Sequence, residues 1–121
     1  MKQILLIDDD PITNYINQCT IKKKFPNTEI LIFEKSNEAL NYLERYTENT
    51  YLIFLDLNIP IMDGWELLDK ILEKRNKLKV KINILSSSVD SADINRAKEY
   101  KIVSSYLIKP MKFKDLDKIV F

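Results

Sequence analysis

The sequence contains no histidine and a single cysteine, Cys19. The first absence excludes histidine-based catalytic triads, most zinc sites and any phosphorelay histidine within the chain. The second excludes an intramolecular disulfide. Cys19 falls at helical spacing with Ile12 and Ile16, so it is expected as a small buried apolar side chain and not as a nucleophile. No apolar run approaches the roughly 18–20 residues needed to span a bilayer, and the N-terminus lacks the apolar core of a signal peptide. A cytoplasmic protein without membrane contact is expected. Charge of one sign is not in excess either: nineteen basic residues face eighteen acidic ones, a formal net charge of +1. That balance gives no global electrostatic reason to bind nucleic acid or an anionic membrane. The local clusters Lys22-Lys23-Lys24 and Lys70 to Lys81 read as solvated helix faces and helix ends.

What is present is enough for one domain. The chain has 121 residues, 45% of them apolar, and a chain of this size can bury a core without disulfides or a structural metal. A single domain over residues 1–121 is expected, with no repeat, linker or low-complexity tract.

Five short apolar runs alternate with longer amphipathic segments. The runs are Ile4–Ile7, Ile30–Phe33, Leu52–Leu55, Ile82–Leu85 and Tyr106–Ile108. Their hydrophobicity is continuous instead of alternating, as parallel strands covered on both faces require. The second run is also compatible with an edge. Between them the spacing predicts a helix from Pro11 with Ile12, Ile16 and Cys19 on its apolar face, and a second helix N-capped by Ser36. A third follows Asp63-Gly64 and carries Trp65, Leu68, Ile71 and Leu72. A fourth spans about Ser91 to Tyr100, and a last one carries Phe113, Leu116, Ile119 and Val120 to the end. Strict strand–helix alternation implies an α/β fold, a doubly wound five-stranded parallel sheet with right-handed crossovers. In such sheets the functional crevice lies outside the carboxyl ends of the strands.

Those strand ends are chemically loaded. Asp8-Asp9-Asp10 follows the first run, Asp56 and Asn58 the third, Ser86-Ser87-Ser88 the fourth and Lys109-Pro110 the fifth. Carboxylates that converge on one rim repel each other unless a cation lies between them. Magnesium fits oxygen donors of this kind, and no histidine or second thiol favours zinc. A carboxylate can accept a phosphoryl group while a cation and an ammonium neutralise the charge on its oxygens, and a hydroxyl can bond one of them. Taken singly, each residue has an ordinary explanation: an N-cap for the aspartate run, turn chemistry for Asp56, Asn58 and Asp63-Gly64, chance for the serines. Their arrival on different strand ends in this order carries the functional reading.

The sequence resembles the receiver family of two-component response regulators, over essentially its whole length. The resemblance rests on Ile4–Pro11, on Phe54–Gly64, on Ile84–Ser88 and on Tyr106–Pro110, of which the second is the most specific. It implies a flavodoxin-like fold of five strand–helix units with strand order 2-1-3-4-5. It implies Asp56 as phosphoacceptor, with Asp9 and Asp56 as direct Mg²⁺ ligands, Asp8 acting through water and Asn58 offering its backbone carbonyl. Ser86 stands where the family has Thr or Ser, Lys109 would pair with a phosphoryl oxygen, and a cis peptide is common before Pro110. Tyr106 matches an aromatic switch residue. The implied partners are a sensor histidine kinase or histidine phosphotransfer protein and a downstream protein target, with no direct nucleic-acid contact, as monomer or phosphorylation-linked dimer. The output face would be formed by the fourth helix, fifth strand and last helix. The implied chemistry is the domain's own phosphotransfer and dephosphorylation, not turnover of a metabolite. Lys101 stands where the family often has Gly, so the fourth helix is expected to end differently. Two other classes stay open at this point: a haloacid-dehalogenase-like phosphohydrolase, against which Asn58 counts because those enzymes carry a second Asp there, and a pseudo-receiver that accepts no phosphate.

Overall fold

A computed structural model describes all of residues 1–121. The elements in chain order are β1 (Lys2–Ile7), α1 (Pro11–Lys24), β2 (Glu29–Phe33), α2 (Ser36–Arg45), β3 (Thr50–Leu55), α3 (Gly64–Glu73), β4 (Lys79–Ser86), α4 (Ser91–Lys98), β5 (Val103–Ile108) and a 3-10 turn at Phe113–Leu116. The strands form one parallel sheet in the order β2-β1-β3-β4-β5. The expected strand order and the edge position open to the second run are both found.

Continuous hydrophobicity follows from this topology. β1 and β3 lie inside the sheet, and Ile4–Ile7 and Tyr51–Leu55 are buried throughout. Alternate residues feed two cores. Leu5, Ile7, Ile53, Leu55, Ile82 and Ile84 pack with Leu43, Leu67, Leu68 and Ile71 of α2 and α3. Ile4, Leu6, Leu52, Phe54 and Leu85 pack on the other face with Ile21, Met111, Leu116 and Ile119. Each fully buried Leu or Ile contributes about 1.5–3 kcal/mol relative to exposure. Register then aligns the strand ends: Ile7 pairs with both Phe33 and Leu55, Leu55 with Ile84, and Ser86 with Ile108.

Four sequence expectations are corrected. α1 does not bury Ile12, Ile16 and Cys19, which are all exposed; its inward stripe is Asn14, Asn17 and Ile21. The apolar-inward rule fails there because Asn14 is held by a backbone carbonyl of the β1–α1 turn. Ser36 is not the N-cap of α2: Lys35 holds that place, and Ser36 lies buried in the first helical turn. α4 closes at Lys98, short of Tyr100, with Glu99 still right-handed and no residue from 99 to 102 at positive φ. Lys101 thus avoids the conformation that a glycine terminator would adopt, as expected of a different ending. The last apolar stripe forms no α-helix, only the turn at Phe113–Leu116, so the output face cannot include a fifth helix over these residues. Leu116 and Ile119 are buried while Phe113 and Val120 are exposed. A spacing of three suits a 3-10 repeat as well as an α-helix. The sheet surface on that side also carries Lys81, Asn83 and Ser105, which offer an apolar helix little to bury.

Candidate functional site

The site lies where β1, β3, β4 and β5 stop. β1 ends at Ile7, and Asp8 continues its line, donating its N–H to the carbonyl of Phe33 at 3.0 Å. Asp56 does the same at the end of β3, donating to the carbonyl of Ile7 at 2.9 Å. Asp8 and Asp56 are therefore fixed by the sheet, and both are buried, with 1% and 6% exposure. Asp9 is exposed beside them. Oxygens of Asp8, Asp9 and Asp56 all lie within 4.8 Å of one another.

Asp10 stands apart from this trio. Its carboxylate caps α1, accepting from the Ile12 N–H at 3.0 Å and from the Thr13 hydroxyl at 2.8 Å. The Thr13 hydroxyl, and then the Ile12 amide, hold its carboxyl below the usual carboxylate range. The aspartate run thus divides: two residues face the site and the third begins the helix.

Lys109 reaches the site from the end of β5, its N–H donating to the carbonyl of Ser86 at 2.8 Å. The peptide that follows, Lys109-Pro110, is cis. The ammonium donates to Asp8 Oδ2 at 2.7 Å and lies 3.2 Å from Asp56 Oδ2. Burial alone would lower the Lys109 pKa, but bonding to Asp8 and the charges of Asp56 and Asp8 outweigh it, and the ammonium is held above its usual range. Asp56 moves upward: burial raises its carboxyl first, the Asp8 charge adds to this, and the Asn58 N–H and Lys109 offset only part. One ammonium thus contacts two of the three clustered carboxylates. The donor set is all oxygen, and its residual negative charge fits a hard divalent cation.

Ser86, at the end of β4, is fully buried, and its Oγ accepts from the Ser88 N–H at 3.1 Å. Ser88 is tied further: its hydroxyl donates to Asp93 of α4 at 2.8 Å, and its carbonyl accepts from the Tyr106 hydroxyl at 3.0 Å. Tyr106 is half-buried, turned toward the β4–α4 loop. Asn58 is exposed, and its N–H donates to Asp56 Oδ1 at 3.2 Å. The structure therefore brings together Asp8, Asp9, Asp56 and Lys109 at the rim, with Ser86, Asn58 and Tyr106 on the adjoining strand ends and loops. Sequence reasoning treated Gly64 and Ser88 as ordinary loop residues and passed over Asn14. None of the three stands out in the helical spacing, which turns Ile12, Ile16 and Cys19 inward in place of Asn14.

The loop after Asp56 holds one outlier. Ile61 has φ 71° and is 99% exposed. A β-branched residue in the left-handed region is strained by roughly 1–2 kcal/mol, and this side chain recovers nothing by burial. Ile61→Asn, which tolerates that conformation, should raise stability by about 1 kcal/mol in urea unfolding. A variant no more stable than the parent would show that the loop is unstrained.

A family model described as response regulator receiver domain matches residues 4–121. Response regulator Rcp1 of Synechocystis sp. is 30% identical over 124 residues, covering 98% of this chain and 84% of Rcp1. A two-component response regulator from Cytophaga hutchinsonii superposes with a TM-score of 0.82 at 31% identity, covering 96% of this chain and 91% of that one. The Mn²⁺-bound form of Rcp1 superposes with a TM-score of 0.77 at 29% identity, over 96% and 86% of the two chains. No helix is long and apolar enough to cross a membrane.

Proposed function

The chain belongs to the response regulator receiver domain family of two-component signalling, and from that premise we propose that Asp56 accepts a phosphoryl group from a phosphohistidine partner. Receiver domains take phosphoryl groups from histidine kinases and act as phosphoacceptor switches, not as classical enzymes. They bind Mg²⁺ or Mn²⁺ at an acidic pocket. The observation that carries the assignment to Asp56 is its placement. It is the buried carboxylate at the end of a central strand, flanked by Asp8 and Asp9 and contacted by Lys109.

Each residue has a distinct task in this reading. An Asp56 carboxylate oxygen attacks phosphorus, the P–N bond of the phosphohistidine breaks, and the imidazole leaves with the electron pair. Asp8, Asp9, Asp56 and the Asn58 backbone carbonyl would hold Mg²⁺, which when bound supplies charge neutralisation for the transferring phosphoryl oxygens. Lys109 supplies the second positive charge, already positioned by Asp8. The Ser86 hydroxyl would turn from the Ser88 N–H toward a phosphoryl oxygen. Ser88, whose carbonyl and hydroxyl hold Tyr106 and Asp93, would then lose its own bond to Ser86. The output face is therefore the β4–α4 loop, α4 and β5. α4 suits this role, since Ala97 is its one buried residue and little packing has to be broken. The partners are a sensor histidine kinase or a histidine phosphotransfer protein upstream and a protein target downstream.

Incubation with a small phosphodonor and Mg²⁺ tests this. The wild type should gain one acid-labile phosphoryl group by intact-mass measurement, and Asp56→Asn should gain none. An unmodified wild type, or an equally modified Asp56→Asn, would sink the assignment. The control protein should fold well. A raised carboxyl pKa costs stability as pH rises from the unfolded value through the folded one, so removing the charge at neutral pH stabilises the cation-free protein.

A further inference from the structure

Helix α1 is turned against the ordinary rule for amphipathic helices. Ile12 is 73% exposed, and Tyr15, Ile16 and Cys19 share the solvent side with it. Asn14 and Asn17, at 2% and 3% exposure, occupy the inward stripe with Ile21. Burying an amide is costly unless all of its hydrogen bonds are made. Here they are not: Asn14 Oδ1 and Asn17 Nδ2 have no partner. A leucine at position 14 would avoid that cost, so the one bond Asn14 does make calls for an explanation.

That bond runs from Asn14 Nδ2 to the backbone carbonyl of Asp8, at 2.7 Å. Asp8 lies one residue beyond β1, where the carbonyl of the turn has no ladder partner to fix it. The other polar groups of Asp8 are held from elsewhere. Its N–H is held by the Phe33 carbonyl, its Oδ1 by the Asp10 N–H at 3.0 Å, and its Oδ2 by Lys109. The carbonyl is also part of the planar peptide that joins Asp8 to Asp9. Pinning that oxygen fixes the rotation of the plane, and with it the direction in which Asp9 leaves the chain. The relative aim of two of the three clustered carboxylates therefore depends on a side chain that touches neither.

We infer that Asn14 is a positioning residue for the cation site, setting the Asp8–Asp9 peptide so that both carboxylates face Asp56. The inference rests on the reading that Asp8, Asp9 and Asp56 hold a divalent cation. Groups that orient ligands without touching the metal typically change affinity about 10–100-fold when removed. Asn17 supplies the control: it has the same face and burial, one turn along the helix, and no bond to the Asp8 turn.

Calorimetric Mg²⁺ titration of the wild type, Asn14→Leu and Asn17→Leu, with urea unfolding of each protein free of cation, tests the role. Asn14→Leu should bind Mg²⁺ about tenfold more weakly with an unfolding midpoint equal to or above the wild type's. Asn17→Leu should bind as the wild type does. Should Asn14→Leu fail to fold, Asn14→Ala removes the same donor without adding bulk and should show the same weakening. A wild type that takes up no Mg²⁺ overturns the cation site, and the inference with it. A wild type that binds, with position-14 variants that bind equally well, overturns the role of Asn14 alone. Equal weakening in Asn17→Leu also overturns it, since repacking of the helix face would then be the cause.

Discussion

Lys109→Met should cost the cation-free protein on the order of 3 kcal/mol, and most of the loss should be recovered when Asp56 is neutralised as well. The ammonium touches Asp8 Oδ2 at 2.7 Å and Asp56 Oδ2 at 3.2 Å, and both carboxylates are almost wholly buried. Methionine keeps most of the side-chain bulk and removes the charge. Two buried carboxylates then face each other without a counter-ion, a situation that breaking a buried pair usually makes severe. The pH dependence follows from the same shifts. The Asp56 carboxyl is already held above its usual range by burial and by Asp8, even with Lys109 in place. Without Lys109 it should rise further, so the defect grows as pH climbs through that pKa and shrinks in acid.

A double-mutant cycle separates this from lost packing. If charge dominates, Asp56→Asn should recover most of the stability lost in Lys109→Met, and the two changes should be non-additive by a kcal/mol or more. Mg²⁺ should also restore stability to Lys109→Met while leaving its phosphoryl acceptance impaired. Strictly additive unfolding free energies, or a defect that deepens in acid, would refute the electrostatic account.

The sheet and its rim were readable because parallel topology writes itself into sequence twice. It buries β1 and β3 on both faces, so their apolar runs are unbroken, and it aligns the residues that follow them. The spacing of the strands alone therefore gathers Asp8, Asp56, Ser86 and Lys109 at one edge. Helix faces were less readable. A rule that turns Ile12, Ile16 and Cys19 inward is sound when apolar burial alone sets the helix rotation. In α1 the rotation brings Asn14 to the Asp8 carbonyl, and no helical period encodes a partner six residues back in the turn before the helix. The last segment misled for another reason: Phe113, Leu116 and Ile119 repeat every three residues, and only the polar sheet surface at Lys81, Asn83 and Ser105 distinguishes a short turn from a long helix. Asp63-Gly64 has the composition of a turn dipeptide, although φ is not what requires glycine there.

Gly64 is required because there is no room for anything larger. It opens α3 with ordinary negative φ, its N–H donating to the Leu57 carbonyl at 3.0 Å. A Cβ at this position would lie 2.6 Å from Leu57 Cα and 2.8 Å from the Asp56 carbonyl oxygen. Both neighbours are backbone, so no side chain can swing aside to make space. Gly64→Ala should gain up to about 1 kcal/mol in helix propensity, less at a first-turn position. Overpacking against rigid backbone costs about 1–3 kcal/mol. The steric term wins, and a net loss of roughly 1–2 kcal/mol is expected in urea unfolding. The functional loss should be larger in proportion, because relief of the clash has to move the chain that carries Asp56. Acid-labile phosphoryl uptake should therefore fall in Gly64→Ala at temperatures where the variant is still fully folded. A Gly64→Ala protein as stable as the wild type would mean that α3 can back away from Leu57 freely. The close seat of this helix on the loop after Asp56 would then have no part in holding Asp56 in place.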